Sequence, residues 1–391
     1  LATIIAAPMG ASFLCDLGAR VIKVETIGGD PYRTMGGGVG ATRCNQGKES
    51  IGVDLKTTDG KAIVENLIGD ADILIHNFRP GVPERLGIAW KDLRTINPRL
   101  IYVSANGYGP DGPGARRPST HPIPGAALGG AGYQAGGTPE ELLDLPQLRE
   151  TARRLMRANE VNPDPNTAMV ICTSALLGLL AREHTGEGQQ IFVDMFGANA
   201  WANFDDFLRY DGKQPRPSLG EDLKGTHPLY RLYRCETGWI FLGLRLESEW
   251  QNFCQLISAN YLFARHPQPF TSRPADLDEE IQAVMETRSA EHWENLLLPR
   301  GIGCVVADRH NLGEFFYKQC IDRSKWMVKT RSDKFGDYYR HVPMVAFSRS
   351  RTRAGGSSRG GAATRELLLE LGYGEDWIDS AFDNGILWQD E

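Results

Sequence analysis

The chain has 391 residues, of which 41% are hydrophobic and 24% are charged, and its formal net charge is −6 at pH 7. This composition is typical of a globular protein with one large domain and a smaller one. The negative net charge excludes a general attraction for nucleic acid, and no apolar run is long enough to predict a membrane span.

Strand and helix patterns alternate over residues 1–110. Helices are predicted over GASFLCDLG, 58–69 and 83–94, and strands at TIIAA, RVIKVE, SIGVDL, ADILIHNF and LIYVSANGYG. Strands separated by helices of this length predict right-handed βαβ units and a mainly parallel sheet, whose ligands lie outside the carboxyl ends of the strands. The chain opens inside a strand pattern, which leaves open an upstream segment or a fused domain.

The rest of the chain divides into two further parts. A charged helix is predicted over 139–159, a helix over about 165–182 and a strand at QIFVDM. We predict a large domain over 1–200, a small α/β domain over 220–325, and a return segment over 326–391 whose C-terminal helices complete the large domain. The segment SRSRTRAGGSSRGGAAT, near the start of this return, predicts a flexible connector.

Cysteine and histidine usage bears on redox state and metals. The seven cysteines form no CxxC pair, and the eight histidines form no HExxH pair. An odd number of cysteines without such spacing favours reduced thiols over a disulfide framework or a zinc site. We therefore expect no metal.

Asp164 lies between two prolines in ANEVNPDPNTAMV, directly before a long apolar run. Asp is a favoured N-cap residue, and a proline after it gives up only an amide that lacks a helical partner. The pattern therefore predicts that Asp164 caps the next helix. The unpaired amides and the helix dipole at that end also favour an ionised carboxylate, which is the form that a nucleophilic aspartate requires. Capping and catalysis both stay open here.

Six segments stand in the order found in one enzyme family. They are GARVIKVE (18–25), NQGKESIGVDLKTTDG (45–60), ADILIHNFRPGVPERLG (71–87), NPRLIYVSANGYGPDGP (97–113), REHTGEGQQIFVDM (182–195) and HPLYRLYRCETGWIFL (227–242). Together they resemble the family III coenzyme A transferases, which include formyl-CoA transferase and crotonobetainyl-CoA:carnitine CoA-transferase and are related to α-methylacyl-CoA racemase. The resemblance implies an α/β fold with a Rossmann-like large domain and a smaller α/β domain. It also implies a cytoplasmic, interlocked homodimer without a prosthetic group.

The resemblance also implies a mechanism. The family's nucleophilic aspartate stands in a D-x-N-T segment that opens the helix before a T-G-x-G-Q turn, and Asp164 in DPNT matches it. Its carboxylate would attack an acyl-CoA donor to give an acyl–aspartyl anhydride, and the CoA thiolate would convert the anhydride into an aspartyl-CoA thioester. A small carboxylic acid would then accept CoA by the reverse steps.

Further residues match CoA-binding positions of the family. The resemblance implies contacts with CoA from the HNFRPG loop, from a basic residue near the phosphates and from the first turn, which correspond to Asn77, Phe78, Arg79, Arg85, Arg33, Ala7 and Met9.

The sequence departs from the family at two places. STHPIP stands where the family commonly has a Gly-Tyr-Asp segment, and the racemase relative has a catalytic His where His121 stands here. A 2-methylacyl-CoA racemase that uses His121 and Asp164 as its two bases is therefore an alternative, as is a loop role for His121 in capping a backbone group. Only Gly243 remains near the place of the glycine-rich lid of formyl-CoA transferase.

Two other classes of protein can be weighed. An NAD-dependent dehydrogenase would also begin with βαβ units, but AAPMGAS lacks the GxGxxG turn that binds the dinucleotide phosphates. A non-catalytic half of a fused transferase is the other alternative, against which the intact DPNT segment stands.

Overall fold

The computed structural model of the protein describes residues 1–120, 122–128, 144–158, 163–204, 208–214, 223–272, 274, 276–307, 312–314, 316–317 and 323–390. The α-helices in these ranges, in chain order α1 to α17, are Ala6–Asp16, Val39–Asn45, Thr58–Gly69, Val82–Leu86, Trp90–Leu93, Pro122–Ala127, Leu145–Ala158, Pro163–Thr185, Met195–Ala202, Glu247–Leu256, Asn260–Arg265, Pro269–Ser272, Leu277–Met285, Ala290–Leu297, Leu312–Glu314, Thr364–Glu370 and Glu375–Asp383. The strands, β1 to β12, are Ile22–Glu25, Glu49–Val53, Ile73–His76, Ile101–Asn106, Gln189–Asp194, Gly225–His227, Tyr230–Arg234, Trp239–Gly243, Gly303–Val306, Met327–Ser332, Gly336–His341 and Leu387–Trp388.

The chain forms two units. The first unit comprises Leu1–Leu128, Glu160–Leu208 and Asp322–Glu391, and the second comprises Gly129–Asn159 and Arg209–Ile321.

The sheets of the first unit are mainly parallel. β1 pairs in parallel with β2, and β3, β4 and β5 form a parallel sheet in that order, whereas β12 joins β2 in the antiparallel direction. The predicted parallel α/β architecture is thus confirmed. The facing edges of β1 and β3 do not pair with each other, and a mostly apolar cavity of about 460 Å³ lies between these strands.

Local sequence explains where the helices start and stop. α3 begins at Thr58 and ends at Gly69 as predicted, because the Thr57 side chain accepts a hydrogen bond from the Gly60 amide at the N-cap. The single helix predicted over 83–94 is wrong. It is divided into α4 and α5 because Gly87 adopts a left-handed conformation with φ 67° and ends α4.

The predicted strand TIIAA is also wrong. Residues 3–5 are irregular, Ile4 has a left-handed φ of 69°, and α1 begins at Ala6. Side chains satisfy the backbone groups that a strand would pair with its neighbours. Asn77 accepts from the Thr3 amide at 3.0 Å and donates to the Thr3 carbonyl at 2.8 Å, and Asp30 accepts from the Ile4 amide at 3.1 Å.

α8 is the central helix of the first unit. It packs against α1, α9, β4 and β5, with Ile171 and Ala175 fully buried. α8 is long and apolar enough to cross a membrane by length and composition, a test that core helices of soluble proteins also pass. These contacts fix one side of α8 to the first unit, whereas Leu176, Leu177 and Leu180 on it are exposed.

The second unit carries an antiparallel sheet in the order β6-β7-β8-β9. α10, α13 and α14 supply its helical core residues, among them the fully buried Trp250, Phe253 and Ile281. This unit thus contains both helices and strands, as the small α/β domain predicted over 220–325 requires.

The return segment packs back onto the first unit. Leu367, Leu368 and Ile378 of the last two helices are buried with residues of β2 and α3. The expectation of a free connector in SRSRTRAGGSSRGGAAT is wrong, because its backbone is held. The Gly356 carbonyl accepts from the Gly47 amide at 2.7 Å, and a Cβ on Gly356 would lie 1.7 Å from the Arg331 carbonyl oxygen.

Candidate active site

Asp164 is buried in the first turn of α8, with 3% of its surface exposed. The helix begins at Pro163, so Asp164 is its second residue and the predicted N-cap assignment is wrong. A proline fits the first helical position because its missing amide would have had no partner there. The carboxylate still lies in the first turn, where unpaired amides and the positive end of the helix dipole stabilise negative charge.

The two residues after Pro165 fix this first turn. The Thr167 hydroxyl donates to the Pro163 carbonyl at 2.7 Å, and the Asn166 amide donates to the Asn199 side-chain oxygen at 3.0 Å. Asn199, on α9, in turn donates to the Pro163 carbonyl at 3.3 Å and to the Met195 carbonyl at 2.7 Å. The D-x-N-T pattern is thus explained as one reactive carboxylate followed by two side chains that hold the turn carrying it.

α1 lies directly against this end of α8. A Cβ on Gly10 would lie 2.9 Å from the Ala168 carbonyl oxygen, so only glycine allows the two helices to approach this closely. Met9 and Cys44 are buried against Ala168. Because Ala168 is one turn after Asp164, the two residues share a face of α8.

Tyr32 and Arg43 complete this corner. Tyr32 is half-buried and packs against the cluster that Met9, Cys44 and Ala168 form. Burial raises the pKa of the Tyr32 phenol, the Cys44 thiol and the Asp164 carboxylate raise it further, and Arg43, which hydrogen-bonds the phenol, lowers it. Both Asp164 and Arg43 therefore lie close enough to act on Tyr32. We call Met9, Tyr32, Arg43, Cys44, Asp164 and Ala168 the Asp164 cluster.

Lys48 links α1 and α2, the two helices that carry Met9 and Cys44 of the cluster. Its buried ammonium donates to the Pro8 carbonyl of α1 at 2.5 Å and to the Cys44 carbonyl of α2 at 2.7 Å. Burial lowers the pKa of Lys48 to about 7, and the nearby charge of Lys23 acts in the same direction. Lys48 thereby fixes the spacing of the two helices that supply Met9 and Cys44.

A buried ionic network surrounds Glu25 at the end of β1, and we call Lys23, Glu25, Asp30 and Arg33 the Glu25 network. Arg33 donates through Nε and Nη2 to Glu25 at 2.8 and 2.6 Å and through Nη1 to the Ser358 carbonyl at 2.8 Å. Lys23 donates to Asp30 at 2.5 Å. Burial would raise the pKa of Glu25, but the hydrogen bonds from Arg33 and the charge of Lys23 outweigh burial and hold it at about 2.

The predicted role of Arg33 in binding a CoA phosphate stays a prediction. All three guanidinium nitrogens of Arg33 already donate to Glu25 or to the Ser358 carbonyl, and 13% of the side chain is exposed.

The HNFRPG loop begins where β3 ends. His76 is buried, its Nδ1 accepts from the Phe78 amide at 3.2 Å, and its Nε2 therefore carries the proton that it shares with the Ser104 hydroxyl at 2.9 Å. Burial lowers the pKa of His76 to about 3. The neutral ring stacks on Phe78 with centroids 5.5 Å apart. Asn77 holds Thr3, so the loop also positions the start of α1.

The remaining predicted CoA ligands differ in exposure. Arg79 and Arg85 are exposed, and Arg85 donates to the Gly81 carbonyl at 3.1 Å, which leaves much of its guanidinium to solvent. Ala7 is buried in the core that contains β4 and α8, and Met9 belongs to the Asp164 cluster. The CoA-binding roles of all four stay predictions.

Two other predicted features are placed differently. His121 lies outside the described residues. Gly243 ends β8 in the second unit, where a Cβ would meet the Tyr230 and Phe241 rings at ordinary contact distance.

In the described part of the chain, one set of three side chains has ligand atoms close enough together to hold a metal ion. His266, Asp276 and Glu280 bring their ligand atoms within 4.8 Å of one another in the second unit. Arg265 already forms ion pairs with both carboxylates, at 2.6 Å to Asp276. A guanidinium therefore supplies the positive charge there.

Several residues of this site were not predicted from the sequence. Tyr32, Arg43, Lys48 and Asn199 come from three separate parts of the chain and belong to no motif. Only Lys48 lay inside a segment that carried the family resemblance, and nothing in that segment distinguished it from a surface lysine.

Comparison with known proteins adds independent findings. The family model described as CoA-transferase family III matches residues 1–358. The chain is 30% identical over 344 residues, 81% of each protein, to a Mycobacterium tuberculosis protein named "Probable fatty acyl-CoA transferase Rv3272". It is 40% identical over 195 residues, 48% of this chain and 47% of the other, to acetyl-CoA:oxalate CoA-transferase of Acetobacter aceti. The crystal structure of Rv3272 superposes with a TM-score of 0.73 at 24% identity, covering 93% of this chain and 95% of that one.

Proposed function

Because the chain belongs to CoA-transferase family III, we propose that it moves CoA from an acyl-CoA to a carboxylic acid through covalent intermediates on Asp164. The observation that carries the proposal is the position of this carboxylate. It is buried in the first turn of a long core helix, and separate hydrogen bonds from Asn166, Thr167 and Asn199 hold that turn.

The reaction begins on the donor thioester. The Asp164 carboxylate attacks the acyl carbonyl carbon, the carbon–sulfur bond breaks, and an acyl–aspartyl anhydride and CoA thiolate result. The thiolate then attacks the aspartyl carbonyl carbon. This step forms the aspartyl-CoA thioester and releases the donor as a carboxylate.

The acceptor repeats these steps in reverse. Its carboxylate attacks the aspartyl-CoA thioester to form a second anhydride and release the thiolate. The thiolate attacks the acceptor's acyl carbon, and the new acyl-CoA leaves Asp164 as a free carboxylate. One thioester is consumed and one is formed, so no other energy source is required.

The surroundings of Asp164 suit these intermediates. Amides at the start of a helix can donate to the oxyanion that forms when a carbonyl is attacked. Asp164 is buried, and the buried cluster of Met9, Cys44 and Ala168 lies one turn along the helix, so the access of water that would hydrolyse the anhydride or the thioester is limited.

The substrates are proposed at the level of class. The two similar proteins are named for a fatty acyl-CoA and for acetyl-CoA with oxalate. We therefore propose an acyl-CoA donor and a small carboxylic acid acceptor. The exposed guanidinium groups of Arg79 and Arg85 are candidates for the CoA phosphates, because a guanidinium fork fits phosphate oxygens.

Two features support the proposed assembly and compartment. Leu176, Leu177 and Leu180 of α8 and Phe192 of β5 are large apolar side chains exposed on the first unit, which a second copy in an interlocked homodimer would cover. The six cysteines in the described ranges are buried free thiols, which supports a reducing, cytoplasmic location.

A trapping experiment tests the proposal. The protein is incubated with acetyl-CoA, then treated with hydroxylamine or borohydride, and its peptides are analysed by mass spectrometry. We expect modification at Asp164 in DPNT and none in an Asp164→Asn variant. An unmodified Asp164 with every donor, together with α-proton exchange in a 2-methylacyl-CoA, would replace the transferase with the racemase. An unmodified Asp164 without α-proton exchange would favour the alternative that the chain is a non-catalytic half of a fused transferase.

A further inference from the structure

Arg43 carries a positive charge that the described protein does not neutralise. It lies in the last turn of α2 with its side chain exposed, and no carboxylate in the described ranges forms an ion pair with it. Its neighbours differ in this respect. Arg33 is paired with Glu25, and Lys23 with Asp30. Within the described ranges Arg43 hydrogen-bonds the Tyr32 phenol but has no counter-charge, so its charge is available for an anionic ligand.

Arg43 is linked to the region of Asp164 through its neighbours Cys44 and Tyr32. The next residue, Cys44, is buried against Met9 and Ala168, and Ala168 shares a face of α8 with Asp164. Tyr32 packs against the cluster of these buried residues, hydrogen-bonds Arg43 and lies within electrostatic range of Asp164. The arrangement puts a guanidinium and a phenol at the open side of a site whose nucleophile lies at the buried side.

We propose that Arg43 and the Tyr32 hydroxyl bind the second carboxylate of a dicarboxylic acid acceptor while its first carboxylate attacks the aspartyl-CoA thioester. The inference rests on the proposed function and specifies its acceptor. A planar fork of N–H donors on Arg43, with a phenol O–H beside it, matches the two oxygens of one carboxylate.

The chemistry explains why the second carboxylate is the better ligand. The attacking carboxylate loses its negative charge when it becomes an anhydride, so a cation that bound it tightly would stabilise the ground state and slow the attack. The remote carboxylate keeps its charge throughout. Binding it stabilises ground state and transition state equally, which lowers KM without changing kcat.

The test compares acceptors that are matched in carbon number. Acetyl-CoA is the donor throughout, and malonate, succinate and glutarate are compared with propionate, butyrate and pentanoate. For Arg43→Gln we expect the KM of at least one dicarboxylate to rise by about 10- to 100-fold, which is the effect of losing hydrogen bonds to a charged group. The kcat for that acid and the KM for its monocarboxylate partner should change less than about threefold.

Controls separate this role from structural damage. Arg94→Gln makes the same change at an exposed position after α5 and should leave every acceptor unchanged. Arg43→Lys should restore part of the lost affinity because it restores the charge without the fork. Tyr32→Phe should raise the KM of the same dicarboxylate by a smaller factor.

Three outcomes would overturn the inference. They are equal losses for monocarboxylates and dicarboxylates, a raised KM for acetyl-CoA in place of the acceptor, and a wild-type enzyme that uses no dicarboxylate. The Asp164 adduct formed from acetyl-CoA alone does not involve the acceptor. If the wild-type protein forms no adduct, the proposed function itself fails. If the adduct forms in both wild type and Arg43→Gln, the KM values of the acceptors alone decide whether Arg43 binds the second carboxylate.

Discussion

The Glu25 network and the Tyr32–Cys44 part of the Asp164 cluster are neighbours in the chain, yet their arginines have opposite surroundings. Arg33 places its whole guanidinium on Glu25 and a backbone carbonyl, and the Glu25 side chain is 1% exposed. Arg43, ten residues later, has an exposed side chain and no carboxylate partner in the described ranges. The surroundings of the two arginines therefore differ, although only a short glycine-rich segment separates them in the chain.

The Glu25 network fixes the backbone, whereas the Asp164 cluster carries the groups proposed for catalysis and binding. Lys23, Asp30 and Arg33 fix the turn between β1 and α2, and Asp30 also holds the left-handed Ile4 at the start of α1. The paired charges therefore position the backbone on two sides of the Asp164 cluster. The cluster itself keeps a cation and a phenol that are not committed to such pairs.

The largest effect is expected from Asp164→Asn. The amide has the same shape but cannot form the anhydride, so we expect CoA transfer to fall by about 10⁴-fold or more while the fold is retained. The measurement is steady-state transfer from acetyl-CoA. Asp59→Asn is a matched control because Asp59 is also the second residue of its helix but is exposed. If Asp164→Asn kept activity within tenfold of wild type, Asp164 would not be the nucleophile.

The second prediction concerns the Glu25 network. Glu25→Gln leaves the charge of Arg33 largely buried without a counter-charge, so we expect the free energy of unfolding to fall by about 3–5 kcal/mol. Glu49→Gln, which removes one carboxylate from the exposed Arg20 pair, should change it by less than about 1 kcal/mol. Denaturant unfolding of the two variants measures the contrast. Equal effects would mean that burial does not distinguish the two ion pairs.

The sequence predicted most of the regular structure because periodicity and caps are local. α3 has its predicted bounds, since Thr57 caps its start and the apolar repeat lies within it. The errors arose where distant side chains decide the backbone. TIIAA has the composition of a strand, but Asn77 and Asp30 satisfy its first amides and hold an irregular turn.

The same limit applies to the site. Asp164 could be found from DPNT and the order of six segments. Its surroundings could not, because Asn199 reaches Pro163 across 36 residues of chain and Lys48 reaches Pro8 across 40. Arg33 matches a position of the family and Arg43 matches none, and only the structure shows that Arg33 is paired with Glu25 while Arg43 has no carboxylate partner in the described ranges.

A third prediction follows from His76, whose pKa of about 3 lies below the value of about 6.5 expected when the chain is unfolded. The unfolded state binds a proton as the pH falls below 6.5 while the folded state does not, so stability is lost between pH 6.5 and 3. At pH 5 the loss from His76 alone is about 2 kcal/mol. Denaturant unfolding of wild type and His76→Gln at pH 7 and 5 should show a smaller pH dependence in the variant. An unchanged dependence would assign the proton uptake to other groups.

The smallest effect is expected from Gly40→Ala, which tests the Asp164 cluster without removing any of its members. A Cβ at residue 40 would lie 2.1 Å from the Tyr32 hydroxyl oxygen, so the phenol must move. If Tyr32 and Arg43 bind the acceptor together, this displacement should raise the acceptor KM by about three- to tenfold, since overpacking at a well-packed site costs about 1 kcal/mol or more.

Gly69→Ala provides the comparison, because nothing lies within 4 Å of a Cβ there and the residue ends α3. It should leave the acceptor KM unchanged. A Gly40→Ala variant with normal acceptor kinetics but reduced stability would place Tyr32 with the Glu25 network, as a residue whose packing supports the fold. A raised acceptor KM at unchanged stability would instead place the phenol in contact with the acceptor, which a residue of purely structural function could not produce.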